Sequence, residues 1–179
     1  MLENMENFTQ RIFRAIQLEV ALYEEVEADE GALPQAMFVV VLSSLASGVG
    51  TTEQSIIGIF WGTIIALISW FIWAYLIYFI GTKWLPELQT QSSPREMLRV
   101  LGFASAPGIF RILGVISSLK EIVFFITAIW MIMAMIIAVR QALDYKSTLR
   151  AAIVCLIAWL IQAIIFILLL IFVVKGQII

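Results

Sequence analysis

Histidine is absent from the chain, and cysteine occurs once, at Cys155. Without histidine the usual general base, proton relay and zinc ligand are missing, which weighs against hydrolase and zinc-enzyme chemistry. A single cysteine inside an apolar stretch allows no intramolecular disulfide, CxxC pair or cysteine metal cluster, and reads as packing or lipid-facing filler. Charge is scarce as well: Asp, Glu, Lys and Arg make up 13% of the 179 residues, against about a quarter in soluble domains. There is no Walker loop, GxSxG, HExxH or aromatic-basic patch for nucleic acid. An enzyme, a cofactor, a bound metal and a nucleic-acid partner are therefore not expected. The N-terminus opens MLENMENFTQ and stays charged to Glu30, unlike a cleavable signal, so the first crossing is expected to act as an uncleaved anchor.

What fills the chain instead is apolar: 62% of residues are hydrophobic and the mean hydropathy is +1.01. Ile56 to Ile80 runs for twenty-five residues without a charge. About twenty apolar residues span roughly 30 Å of hydrocarbon, and a crossing segment must satisfy its backbone internally, which selects helix. The expected fold is therefore all-α, a polytopic membrane bundle with crossings at about 33–52, 56–80, 98–118, 121–139 and 151–174. Phe8, Ile12, Ile16, Val20 and Tyr23 recur at helical spacing, predicting one N-terminal amphipathic surface helix over 8 to about 28. Its polar face turns acidic, which favours docking on protein over attraction to anionic lipid. The chain divides at this level into a cytoplasmic amphipathic and acidic segment, 1–32, and a five-helix membrane domain, 33–179. The first and third crossings, interrupted by Ser43, Ser44, Ser47, Gly102, Pro107 and Gly108, are expected to be buried against neighbours, and the other three to face lipid.

Arg11, Arg14, Lys83, Arg95, Arg99, Arg140, Lys146 and Arg150 fall on the N-terminal side of these crossings, while Lys120 and Lys175 fall on the other. The positive-inside rule then puts the N-terminus in the cytoplasm and, after an odd number of crossings, the C-terminus on the opposite side. On the same cytoplasmic side lies YEEVEADEGALPQA, Tyr23 to Ala36. Its Glu24, Glu25, Glu27 and Asp29 are candidates to pair with Arg95, Arg99, Arg140 or Arg150, fixing the segment against the bundle or presenting it to a partner; a solvated helix face is the simpler alternative. The run lacks the ordered spacing of a calcium loop. In LRVLGFASAPGIFR, Leu98 to Arg111, Pro107 and Gly108 predict a kink or break. Arg111 at membrane depth needs an acid, a carbonyl or water, with an outward path past Ser117 and the carboxylates of Glu53 and Glu121 as the nearest choices. Gly58 and Gly62 form a GxxxG and Gly114 stands four before Ser118, spacings that suit close helix packing.

With the crossings drawn, the pattern resembles the Yip1-domain family. YEEVEADEGALPQA is similar to the acidic juxtamembrane motif of short prokaryotic members. LRVLGFASAPGIF resembles the family's glycine-alanine-proline motif in the third crossing, and AVRQALDYKSTLRAA its segment between the fourth and fifth. The resemblance implies a multi-helix membrane protein with no known catalytic activity; eukaryotic relatives act in vesicle trafficking, binding Rab-type small GTPases and one another. Tyr23 is followed here by Glu24 and Glu25 where eukaryotic motifs carry an aspartate-leucine-tyrosine-glycine-proline run, and no long N-terminal region precedes it, so small-GTPase binding is not expected to carry over. The expected role is a non-enzymatic, membrane-organising or partner-docking protein of a prokaryotic cell membrane, in contact with lipid and forming a homo-oligomer or a complex with another membrane protein. The alternative is a small transporter or channel with its pathway along the broken third helix.

Overall fold

The computed structural model describes residues 2–51 and 55–176. The elements follow in chain order: α1 (Leu2–Ile16), α2 (Val20–Ala28), a 3-10 turn (Glu30–Ala32), α3 (Leu33–Gly50), α4 (Ile56–Phe79) running on into a π turn (Ile80–Trp84), α5 (Pro94–Ala104), a 3-10 helix (Ala106–Val115), α6 (Lys120–Ala142) and α7 (Thr148–Gly176). Five helical stretches are long and apolar enough to cross a membrane: Glu30–Gly50, Ile56–Trp84, Pro94–Val115, Lys120–Ala142 and Thr148–Ile171. They coincide with the expected crossings to within a few residues.

The N-terminal helix expected over 8–28 is two helices. Leu18 takes a left-handed backbone, φ 60°, and the amides of Leu18 and Glu19 return to the carbonyls of Ala15 (3.1 Å) and Arg14 (3.0 Å). These paired bonds form a Schellman ending, which satisfies the last carbonyls of α1 and reverses the chain. Periodicity alone runs straight through such a turn, because Leu18 itself packs on the core. α2 then buries Leu22, Tyr23 and Val26 completely, in the same apolar cluster as α3, α5 and α6. α1 docks on protein too: the rings of Phe8 and Phe38 lie 5.8 Å apart, and Trp130 Nε1 donates to the Ile16 carbonyl at 2.9 Å.

The third span is the centre of the bundle. In its most apolar stretch 67% of residues are buried, against 33% or fewer in each of the other four, and every residue from Met97 to Gly108 is buried. Ser93 starts it with a reciprocal capping box, its hydroxyl accepting from Glu96 N while Glu96 accepts from Ser93 N, and Pro94 follows in the first turn. After Ala104 the α-helix tightens to 3-10, with Pro107 offering no amide and Gly108 N bonding to Ser105 O at 2.9 Å.

That change of winding sets how α3 fits. The two run parallel with small residues in register: a Cβ added at Gly102 would strike Ala36, one at Gly108 would strike Ser43, and one at Gly114 would strike the Gly50 carbonyl. Partners recur every seven residues on α3 and every six on the third span, two turns of α-helix facing about two turns of a helix tightened toward three residues per turn. The first span, at 33% buried, touches neighbours mainly along this stripe. Gly62 does not pack this way, since a Cβ there would have nothing within 4 Å.

Candidate functional site

The acidic segment is held by α1. Arg11 Nε donates to Glu25 at 2.8 Å and its Nη1 reaches Asp29 at 2.8 Å and Gln35 at 2.9 Å. Arg14 grips Glu19 through Nε and Nη2 at 3.0 and 2.9 Å and also donates to Glu25. Three residues apart on α1, the two guanidiniums share one face, and the reversal at Leu18 lays that face over α2. Among the described residues the close ion pairs of the acidic run are thus with Arg11 and Arg14 rather than with the expected Arg95, Arg140 or Arg150, while the expected Arg99 acts on Glu27 and Asp29 by charge at longer range. Arg99, buried, donates instead to the Val26 carbonyl at 2.9 Å and to the Glu27 carbonyl, capping the orphan carbonyls at the end of α2. Arg140 bonds to the Tyr145 carbonyl and Thr148 hydroxyl, and Arg150 to the Pro86 carbonyl at 3.0 Å and Glu87 at 3.6 Å, while Arg95 is exposed. The loop arginines thus fold their own loops.

Local charge explains the titration of the segment. Hydrogen bonds from Arg14 hold Glu19 below its ordinary range, and those from Arg11 do the same for Asp29. Burial pushes Glu25 up, but bonds from Arg14 and Arg11 outweigh it and hold it low. Glu27 goes the other way: burial, then the nearby carboxylates of Asp144 and Glu96, lift it to about 7. Glu24, Glu27, Glu96 and Asp144 line one depression of about 500 Å³ at this end of the bundle, with Glu24 accepting from Gln141 at 2.7 Å. Among the described residues no group of three or more acidic or thiol side chains is placed to hold a metal ion. Tyr23 is fully buried, and its hydroxyl has no partner among the described residues.

A second feature lies within the span region, where a cleft of about 730 Å³ is bordered by α3, α4, α6 and α7 over the third span. Ser43, Ser44, Ser47, Ser105, Gln162 and Arg111 border it, and Gly62 opens onto it. Pro107 and Gly108 pack beneath α3, so the break in the third span is internal to the fold, while Arg111 turns toward α6. Its Nε donates to Thr127 Oγ1 at 3.2 Å and its guanidinium carbon stands 5.4 Å over the Phe124 ring. Glu53, one of the sequence candidates for Arg111, lies outside the described residues. The indole N–H groups of Trp70 and Trp73, also bordering the cleft, are buried without an acceptor among the described residues.

A family model for the Yip1 domain matches residues 23–171. The chain belongs to the Yip1 domain family. The match begins at Tyr23, so α2 from Tyr23 onward and the acidic segment fall within the Yip1 domain, in keeping with the burial of Tyr23 and Val26 in its core. No curated protein and no solved structure matches the chain. Arg11 and Arg14, which marked only the membrane orientation in the sequence, and Gln35 are the partners of the acidic segment that were not expected in this Yip1 protein. The signal available was a pair of arginines on one helix face followed within fifteen residues by Glu19, Glu25 and Asp29.

Proposed function

We propose that this Yip1-family membrane protein is a non-enzymatic docking component of a prokaryotic cell membrane, with its α1–α2 end in the cytoplasm, and that this end receives a basic segment of another membrane protein or of a second copy. The observation that carries the reading is the depression lined by Glu24, Glu27, Glu96 and Asp144. Arg99, the cation that acts on Glu27, is engaged by the Val26 and Glu27 carbonyls, and Arg11 and Arg14 are engaged by Glu19, Glu25 and Asp29. Glu27 is still lifted to about 7, so the cluster favours an incoming cation. A photo-reactive residue at Gln91, on the rim of the depression, is expected to cross-link one identifiable partner or a second copy. Charge reversal at Glu24 and Glu96 should abolish the cross-link; retention in the reversed protein would refute the docking reading.

The cleft and the unmet indole donors of Trp70 and Trp73 favour a second reading, a solute pathway beside the third span. Reconstituted protein moving solutes above empty liposomes, with loss in Arg111→Ala, is its test.

A further inference from the structure

No carboxylate among the described residues neutralises the cation that borders the cleft. Among the described residues the guanidinium of Arg111 has one hydrogen bond, to the neutral Thr127 hydroxyl, and no carboxylate pairs with it. Its four Nη hydrogens sit beside a cavity in which Ser44 bonds to Thr63 (3.4 Å), Ser105 to the Gly102 carbonyl (2.6 Å) and Gln162 to the Ser69 carbonyl (3.4 Å), while the indole N–H groups of Trp70 and Trp73 on its border have no acceptor among the described residues. What the cleft offers a ligand is one planar cation at one end and, beyond it, a mainly apolar wall that carries the two indole donors of Trp70 and Trp73.

We propose that the cleft binds one net-negative phospholipid drawn from the surrounding bilayer, its phosphate on Arg111 and one acyl chain running toward Met131, Met135 and Trp70. The guanidinium fork matches phosphate oxygens in pairs, and Arg111 stands four residues from Val115, the end of its span, where headgroups begin. On α3 the cleft extends from Thr51 to Val40, eleven residues or about 16 Å of helix, roughly half of the 30 Å hydrocarbon and so the depth of one leaflet. The source is lipid rather than a water-soluble phosphate because the cleft opens sideways: Ile132, Trp159 and Phe166 border it and are 58%, 63% and 43% exposed on the apolar flank.

The test is native mass spectrometry of the full chain in mild detergent after exposure to equal amounts of phosphatidylglycerol and phosphatidylcholine. One phosphatidylglycerol per chain is expected, favoured about tenfold or more, as charge-assisted hydrogen bonds allow. Arg111→Gln should bring that preference to about one. Gly62→Phe should remove retention of both lipids while preserving helical content, because the added ring enters open space. Equal retention of the two lipids by the wild-type protein would overturn the proposal, as would undiminished phosphatidylglycerol on a folded Gly62→Phe chain. Displacement of the lipid by millimolar glycerol 3-phosphate would assign the site to a soluble phosphate and equally overturn it. Should Gly62→Phe fail to fold, the preference ratio in Arg111→Gln and Arg111→Lys decides: an unchanged ratio in both sinks the site.

Discussion

Glu27 sets how the α2 end responds to pH. Its carboxyl is raised from about 4.5 to about 7 by burial and by Asp144, Glu96 and Glu24, against the opposing pull of Arg99. A carboxyl raised on folding favours the folded state fully below its free value, and that contribution is lost as pH rises through about 7. Hydrogen exchange over residues 20–28, corrected for intrinsic rates, should therefore be slower at pH 6 than at pH 8, and Glu27→Gln should flatten the difference. Glu25 and Asp29 act with the opposite sign: held low by Arg11, they stabilise above the ordinary carboxylate range and release only as the solution is acidified below it. Arg11 is 7% exposed at its side chain, whereas Glu25 and Asp29 are each 37% exposed, so water screens part of what is lost with it. Arg11→Ala is expected to cost about 1–3 kcal/mol, read as faster proteolysis of residues 1–30. At this scale the sequence named the acidic side of the network, Glu25 and Asp29, and missed its cations. A residue's charge is visible in the chain, whereas its partner depends on a left-handed turn at Leu18 that propensity disfavours.

Elements join here through their ends and through one register. Arg99 caps α2 by its last carbonyls rather than by a carboxylate, so Arg99→Ala should loosen the α2 docking and raise protease sensitivity of residues 1–30; unchanged cleavage would count against the cap. The same Schellman geometry that ends α1 ends α6, where Asp144 has φ 53° and the amides of Asp144 and Tyr145 return to Gln141 and Arg140. Tyr145 then reaches the Leu85 carbonyl at 2.7 Å and the Gly81 carbonyl at 3.0 Å, tying the end of α6 to the π turn after α4. Asp144→Gly relieves the left-handed strain and removes one carboxylate beside Glu27, and is expected to raise thermal stability by about 1 kcal/mol. Along the third span the small-residue stripe is unforgiving: Gly102→Val meets the Ala36 side chain and carbonyl and should destabilise by roughly 1–3 kcal/mol, seen as a lower Tm in detergent. Pro107 and Gly108 marked this span as irregular from sequence. The pairing of seven-residue steps with six-residue steps was hidden, because it needs the local helix type on both partners.

Across the whole molecule, Glu24 and Gln141 touch, and Lys146 N meets Glu87, so the acidic segment and the loops after α4 and α6 share one end of the bundle. Single cysteines at positions 24 and 146 in a Cys155→Ala background are expected to label from the same side of sealed vesicles, and labelling from opposite sides would break the proposed docking surface. The sequence by itself determined that the chain is helical, apolar and built of five spans, and where those spans lie. Hydrocarbon thickness and backbone hydrogen bonding leave a charge-poor run of twenty or more residues few other forms. Only the tertiary structure decided that the third span alone, rather than the first and third together, is the core, that α1 rather than the loops supplies the close ion pairs of the acidic segment, and that Arg111 faces an open cleft. Those outcomes rest on a chain reversal at Leu18, a change of helical winding after Ala104 and the space between helix pairs, each fixed by packing among segments far apart in the chain rather than by any local run of residues.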